Sequence, residues 1–311
     1  MLPQPLGTRR YLFVADNAKG TQPIVQALRD RGLDPSGLEP VGVRPPLSKY
    51  LKELWERRHF IWMDARHRVA TSNSRNLLGS VWLVLQPMLE AAMYYVVFAE
   101  ILGVDRGMDN FPGFIIIGVL MFRSTMRAVS SGPTLLSSNK AMIRAFVFPR
   151  ASLAISAEIR ESIQMIYTTV TMMVMIMVVP YHELPEYTWL LVPVIFAFQF
   201  VLNLGISLVM ARVGFIVPDI SQVMRLIGRL LMYGSGVIFP IDRFVDNALI
   251  MALIQVNPIY HMLVLYREVL MDGTVPAPEH WLILGAWALG LTFFGFLFFW
   301  RGEETYGAEQ R

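Results

Sequence analysis

The chain has no cysteine, which removes disulfides, thiolate metal sites and cysteine nucleophiles together. It also has no Gly-Lys pair, so the glycine-rich cradle that ends in Gly-Lys-Ser/Thr and holds nucleotide phosphates cannot form. If ATP drives this protein, another polypeptide hydrolyses it, and no cofactor is expected here. No Gly-x-Ser-x-Gly elbow is present either. Histidines 59, 67, 182, 261 and 280 are scattered, with no pair at i, i+4, so a catalytic zinc site has little to stand on.

Charge is scarce too. Only 16% of residues are charged against 54% hydrophobic, and mean hydropathy is +0.46, far too apolar for a soluble domain of 311 residues. The chain reads as an all-α integral membrane protein. Stretches reaching the roughly 20 residues needed to cross a bilayer recur at about 80–102, 111–131, 153–179, 187–211, 223–241 and 281–300. Six crossings are expected. Lys140, Arg144, Arg150, Arg212, Arg225 and Arg229 then fall on one side of the membrane, and Arg106, Arg243 and Arg267 on the other. The excess of positive charge places both termini in the cytosol. The first 75 residues hold no apolar run of signal-peptide length, since Leu12 to Ala15 is flanked by Arg9, Arg10 and Asp16.

Residues 1–46 form a cytosolic N-terminal extension, with a strand expected at 11–16, a helix at 22–32 closed by Gly32, and a Pro/Gly-rich linker after it. Residues 47–75 are an amphipathic helix and a lead-in loop, 76–304 the membrane domain and 305–311 a cytosolic tail. In the amphipathic helix Leu47, Leu51, Leu54, Trp55, Ile61, Trp62, Ala65 and Val69 recur at helical spacing among arginines and lysines. That pattern suits a helix in the lipid headgroup layer, and equally a soluble helix packed on a partner.

Residues 245–271 are apolar but broken at Asn257-Pro258, leaving two pieces too short to cross a core about 30 Å thick. A re-entrant hairpin on the outer face accounts for them, with two further crossings as the alternative.

Charges inside spans are the sharper signal, because each is costly in lipid unless paired or facing a wet cavity. Glu90 lies about ten residues into the first span and Arg123 about eight residues from the same end of the second, so the two sit at similar depth. A Glu90–Arg123 contact is expected, with Arg127 on the same helix face. Either the pair only fixes packing, or the arginines line a path for a polar or anionic cargo. Tyr94 and other span aromatics fit a sugar path, and fit ordinary packing as well. After the second span, Ser137 to Arg150 reads as a short helix capped by Asn139 or Ser138, with Met142, Ile143, Phe146 and Val147 on one side. Such an apolar ridge is a docking surface or an interfacial helix. The loop carboxylates Asp242, Asp246, Glu268, Asp272 and Glu279 leave a membrane-surface enzyme as an outside possibility.

Taken in order, Asn76-Leu77-Leu78-Gly79-Ser80-Val81-Trp82, Gln86-Pro87, Asn139 through Phe148-Pro149, Pro218-Asp219-Ile220 and Asn257-Pro258 resemble the membrane subunits of ABC-2 type polysaccharide exporters, over residues 47–304. The resemblance implies a homodimeric pore with two copies of a separate ATPase subunit, which carries ATP and Mg. Its expected cargo is a polysaccharide linked to polyprenyl pyrophosphate, and membrane lipids but no nucleic acid are expected as further partners. It implies that Arg75, Leu78, Gly79 and Trp82 lie where the lipid headgroup enters. It further implies that Asn139, Lys140, Met142, Ile143, Phe146, Phe148 and Pro149 couple to the ATPase, and that Asn257, Pro258 and Tyr260 belong to an outer gate. Glu90, Tyr94, Arg123 and Arg127 are the expected cargo path. The 46-residue extension departs from the usual pattern, as do Arg123 and Arg127, which stand where aromatic or neutral residues are expected. Arginine outnumbers lysine 23 to 4, a bias of GC-rich, actinobacterial-type genomes. On that ground galactan is the first cargo expected, then O-antigen or teichoic acid. The alternatives are an ABC-2 exporter of small drugs or lipids and a membrane-embedded glycosyltransferase or ligase.

Overall fold

The computed structural model describes residues 11–13, 39–41, 44–72, 78–103, 110–179, 182–241 and 247–307. Strands β1 (Tyr11–Phe13) and β2 (Glu39–Val41) pair in parallel, so the first expected strand is present in part. The helix expected at 22–32 lies outside the described residues, as does Arg75. Everything else described is helix or connection.

The amphipathic segment is two helices rather than one, α1 (Leu47–Glu56) and α2 (Arg58–Ser72), which meet at Arg57. Tyr50, Leu54, Ile61 and Ala65 are buried against the bundle, while Leu51, Trp55, Phe60, Trp62 and Met63 stay exposed. A positively charged, aromatic outer face over a buried inner stripe is the arrangement its periodicity dictates.

Gly79, at φ +48°, makes the turn into a short 3-10 stretch (Gly79–Val81) and then α3 (Trp82–Tyr95). That is a backbone region glycine enters at no steric cost. Pro87 lies inside α3, which runs through it unbroken. A proline early in a helix forfeits one hydrogen bond, and burial of its ring among neighbouring helices holds the course. The irregularity falls later, in a π-helical stretch at Val96–Ile101.

α4 (Phe111–Ser131) is the centre of the molecule. Asn110 caps it by accepting from the Gly113 N–H at 2.9 Å, with Pro112 in the first turn. Between Phe111 and Val129 every residue is buried except Arg123, Met126 and Arg127. Two short helices, α5 (Leu135–Ser138) and α6 (Lys140–Ala145), lead into α7 (Ala151–Val178) and α8 (Val192–Ile216). Next come α9 (Ile220–Gly234), α10 (Ala248–Val256), α11 (Pro258–Leu270) and α12 (Pro278–Arg301).

Among the described residues, 111–138, 151–178, 187–216 and 278–301 are each long and apolar enough to cross a membrane. The protein is therefore a multi-pass membrane protein. α3 is shorter, and α9 stops at Gly234 although a span was expected over 223–241. The chain there turns through Gly236 at φ +66° with Val237 and Ile238 fully buried. α10 and α11 are bent by 78° at Asn257, where Asn257 caps α11 and Pro258 opens it.

The larger core gathers around α4 and α11, with Ile115, Leu120, Met121, Leu265 and Tyr266 almost wholly buried. A second core closes the end that carries α1, from Tyr50, Leu54, Ile143, Phe148, Phe299 and Tyr306. α8 and α12 press together at Gly205, where a Cβ would lie 2.6 Å from the Thr292 backbone nitrogen. Small residues at such crossings let helix backbones approach in lipid.

Candidate functional site

Between Phe111 and Val129 the three residues that escape burial, Arg123, Met126 and Arg127, follow i, i+3, i+4 spacing and so share one face. That face looks into a cavity of about 140 Å³ lined by Trp82, Leu83, Gln86, Pro87 and Glu90 of α3, Leu120, Arg123 and Arg127 of α4, and Gln164 and Thr168 of α7. Arg123 forms an ion pair with Glu90, the contact expected from their equal depth. Gln86 donates from Nε2 to Glu90 Oε1 at 3.0 Å, one helical turn away. The carboxylate is thus held from two sides.

Arg127 finds its partners on α7, a helix from which sequence reading drew no site residue. Its Nε lies 3.7 Å from Glu161 Oε2, and its Nη1 donates to Gln164 Oε1 at 3.4 Å. Arg160 donates to Glu161 Oε1 from Nη2 at 2.8 Å and from Nε at 3.2 Å. Glu158, only 3% exposed, lies one turn before Ser162, whose hydroxyl donates to its carbonyl at 2.8 Å. The signal was available: Glu158, Glu161, Gln164 and Thr168 recur at helical spacing. Each guanidinium of this track faces a carboxylate, with Arg127 and Arg160 sharing Glu161, which stands behind the cavity wall rather than among its lining residues.

Behind α4 a second polar knot joins three helices. Gln199, fully buried on α8, donates to the Met121 carbonyl at 3.2 Å and to Thr125 Oγ1 at 3.0 Å, and it accepts from the Tyr266 hydroxyl at 3.0 Å. Every polar atom of that amide's face is used.

Tyr94 is not part of the cavity wall. It stacks on Phe98 with ring centroids 6.1 Å apart and turns its hydroxyl to Met232 Sδ of α9 at 3.8 Å. Of the four residues expected at the headgroup turn, Trp82 lines the cavity, Leu78 is exposed and Gly79 makes the turn.

Asn257, Pro258 and Tyr260 sit at the α10–α11 bend. Asn257 accepts from the Ile259 N–H at 3.0 Å and donates from Nδ2 to Ser235 Oγ at 2.8 Å. Tyr260 lies edge-on to His261. Arg267 of α11, which the sequence offers only as an outer-side charge in the hairpin, donates to the carbonyls of Gly236 at 2.8 Å, Val237 at 3.0 Å and Phe114 at 3.2 Å. Its guanidinium also lies 3.4 Å from the centroid of the Phe114 ring. The bend is therefore pinned to the irregular segment after α9. Two histidines that looked scattered meet nearby, His261 Nδ1 lying 2.7 Å from His280 Nδ1.

The expected apolar ridge after α4 is divided differently. α6 ends at Ala145, so Phe146 and Val147 lie on extended chain, 67% and 57% exposed, whereas Ile143 and Phe148 are buried in the second core and Met142 packs against it. Periodicity cannot register that Phe148 and Pro149 fold back under α1. Asn139 begins α6 but caps nothing with its side chain, which donates to the Leu135 carbonyl at 2.8 Å; Lys140 is the first helical residue. Arg57 holds the extended segment, donating to the Val147 carbonyl at 3.1 Å.

No protein-family model matches the chain. Over 238 residues, 76% of this chain and 90% of the relative, it is 20% identical to the O-antigen export system permease protein RfbA of Myxococcus xanthus. It is 24% identical to an O-antigen export system permease protein RfbA of Klebsiella pneumoniae, over 64% of this chain and 75% of the relative. It is 22% identical to the polysialic acid transport protein KpsM of Escherichia coli, over 73% and 87%.

Proposed function

We propose, from the premise that this chain is a homologue of ABC-2 polysaccharide-export permeases and a transport component rather than an enzyme, that it passes a lipid-linked glycan out across the cytoplasmic membrane as one half of a homodimeric pore. Galactan is the first cargo to test, then O-antigen or teichoic acid. ATP and Mg act on a separate ATPase, two copies of which dock on the dimer.

In this reading the chain crosses the membrane six times. From Gly79 to Ile101 helix is continuous through its 3-10, α and π parts, and at 1.5 Å per residue that length suffices for a core of about 30 Å. The fifth crossing is α9 continued by the buried segment through Phe239, and the α10–α11 pair is a re-entrant outer hairpin. Both termini are cytosolic, with α1 and α2 in the headgroup layer. Leu78, Gly79 and Trp82 receive the lipid anchor, with Arg75 before them, and Asn257, Pro258 and Tyr260 form the outer gate.

The observation that carries the proposal is the polar wall of Gln86, Glu90, Arg123, Arg127 and Gln164 on a cavity between apolar helices, with Glu161 paired to Arg127 behind it. A permanently buried pair needs no cavity beside it; a path for hydroxyl-rich cargo does. Phe146 and Val147, exposed on a segment whose base is locked into the second core, are the contact that receives the ATPase movement. The test is co-purification with an ABC ATPase from the native membrane, followed by ATP-dependent transport in vesicles. A chain that functions with no ATPase partner contradicts the proposal.

A further inference from the structure

The two histidines that meet at the α10–α11 bend are joined in such a way that the number of protons they hold decides whether the contact can exist. We infer that His261 and His280 form an acid-released latch, which holds the bend against α12 and lets go when both imidazoles are charged. The latch is built from the hairpin and α12 alone, so it is independent of what cargo the chain carries.

The proton positions follow from the partners. His261, 3% exposed in the first turn of α11, has both ring nitrogens engaged: Nε2 lies 2.7 Å from the Gln255 carbonyl oxygen and Nδ1 lies 2.7 Å from His280 Nδ1. A carbonyl only accepts, so Nε2 carries the hydrogen and Nδ1 of the neutral ring is bare. His280 Nδ1 must then donate, which leaves His280 Nε2 open to a proton, 3.8 Å from Glu279 Oε1. One proton taken up there leaves every bond in place. A second has only His261 Nδ1 to go to. Two hydrogens would then lie between nitrogens 2.7 Å apart, and two like charges on rings whose centroids are 4.9 Å apart. The contact therefore exists with no added proton or with one, and not with two.

What the latch holds is the bend itself. Gln255 and Val256 end α10, where carbonyls lose their partners within the helix. The Gln255 carbonyl is taken by His261, and the Val256 carbonyl accepts from Trp287 Nε1 of α12 at 2.8 Å. α12 thus grips the bend twice, once through an indole that does not titrate and once through a bond that acid removes. Release of His280 leaves Trp287 as the pivot. Protons reach the pair from the surface, since the His280 side chain is 14% exposed and that of Glu279 is 73% exposed. Among the described residues Glu279 is the charged group that faces the two imidazoles. Tyr260 adds its ring, 5.3 Å from that of His261 between centroids, and Glu268 lies within reach of the Glu279 and Asp272 charges.

The absence of cysteine lets a labelling pair be introduced without background. Leu253→Cys on α10 and Leu282→Cys on α12, at positions 67% and 71% exposed, carry spin labels in the full-length chain, which is reconstituted in lipid nanodiscs with an excess of unlabelled chain. The distance between the labels is read by pulsed electron resonance from about pH 7.5 to about pH 5, either side of the ordinary histidine value. With both histidines present, a second, longer distance is expected in acid. Its ratio to the first should rise by about tenfold per pH unit below about 6.5, the mark of one proton taken up on release. His280→Gln keeps a side chain that gives and accepts hydrogen bonds but takes up no proton, and is expected to hold the neutral-pH distance throughout. Glu279→Gln, an exposed change that decides the matter even if His280→Gln is not recovered folded, is expected to move release to lower pH, because the imidazolium loses a favourable neighbour. A single distance at every pH in the labelled chain overturns the latch. So does a His280→Gln protein that opens in acid, or release at unchanged pH in Glu279→Gln, because the titrating group then lies elsewhere.

Discussion

Tyr50 of α1 donates its hydroxyl hydrogen to Glu303 Oε2 at 2.9 Å and accepts from the Ala151 N–H at 3.0 Å with the same oxygen. Glu303 in turn accepts from the Arg150 N–H at 2.9 Å through Oε1, and Arg150 also bonds the Glu303 carbonyl. Three segments distant in sequence, the amphipathic helix, the exit of the α6 loop and the end of α12, are thereby one body. Trp300 adds a bond to the Pro45 carbonyl at 3.2 Å, and the Arg44 guanidinium sits 4.4 Å from the centroid of the Trp300 ring.

Tyr50→Phe keeps the ring and removes the bridge, leaving Glu303 Oε2 and the Ala151 N–H short of a partner in a buried place. A loss of about 1–3 kcal/mol is expected, read as a lower melting temperature of the detergent-solubilised protein. Export activity is expected to fall further than stability, because the segment of Phe146 and Val147 would be tied to α1 through Arg57 alone.

The same cluster sets a pH dependence. Burial pushes the Glu303 carboxyl above its ordinary range, and Arg150 and its own hydrogen bonds oppose that without cancelling it. A carboxyl raised on folding contributes stability that is complete below its unfolded pKa, about 4.3 for glutamate, and is lost as pH rises through the folded value. Melting temperature is therefore expected to decline as pH climbs out of the ordinary glutamate range, and Glu303→Gln to flatten that slope.

Removing one member of the Glu90–Arg123 pair strands the other. Arg123→Gln or Glu90→Gln is expected to cost about 1–2 kcal/mol, less than the 3–5 of a fully buried pair because the Arg123 side chain is 44% exposed. The double variant is expected to cost less than the two single losses added, measured as a thermal-stability cycle in nanodiscs.

This pair was legible in the sequence because two antiparallel spans of known length fix depth, and depth alone brought Glu90 to Arg123. The partner of Arg127 was not, although Glu161 sits in plain view: which third helix closes a cavity depends on packing, and no spacing within one span encodes it. The helix type of the spans followed from hydropathy, whereas the early end of α9 did not. Apolar residues continue past Gly234, and only the carbonyls offered to Arg267 show why the chain can leave helical geometry there. Likewise Phe146 and Phe148 look alike in sequence, yet one is exposed and the other buried.

Arg267→Met is expected to be the most damaging change near the α10–α11 bend. It frees three carbonyls in a buried place, a loss above about 3 kcal/mol, read as failure to recover folded protein. Asn257→Ala, which removes one cap and one bond to Ser235, is expected to fold with about 1–2 kcal/mol less stability.

Phe146→Ala and Val147→Ala remove exposed side chains and are expected to leave melting temperature within about 0.5 kcal/mol of wild type while reducing capture of the ATPase. Ile143→Ala and Phe148→Ala create cavities and are expected to reduce both, by about 2–5 kcal/mol in stability.

Outward passage of a glycan made inside the cell is measured most directly by where that glycan goes when this chain is depleted. Lipid-linked glycan extracted from the inner leaflet of depleted cells is expected to accumulate, while its surface-exposed form disappears. Loss of glycan synthesis, or unchanged surface glycan with no accumulation inside, would contradict the account.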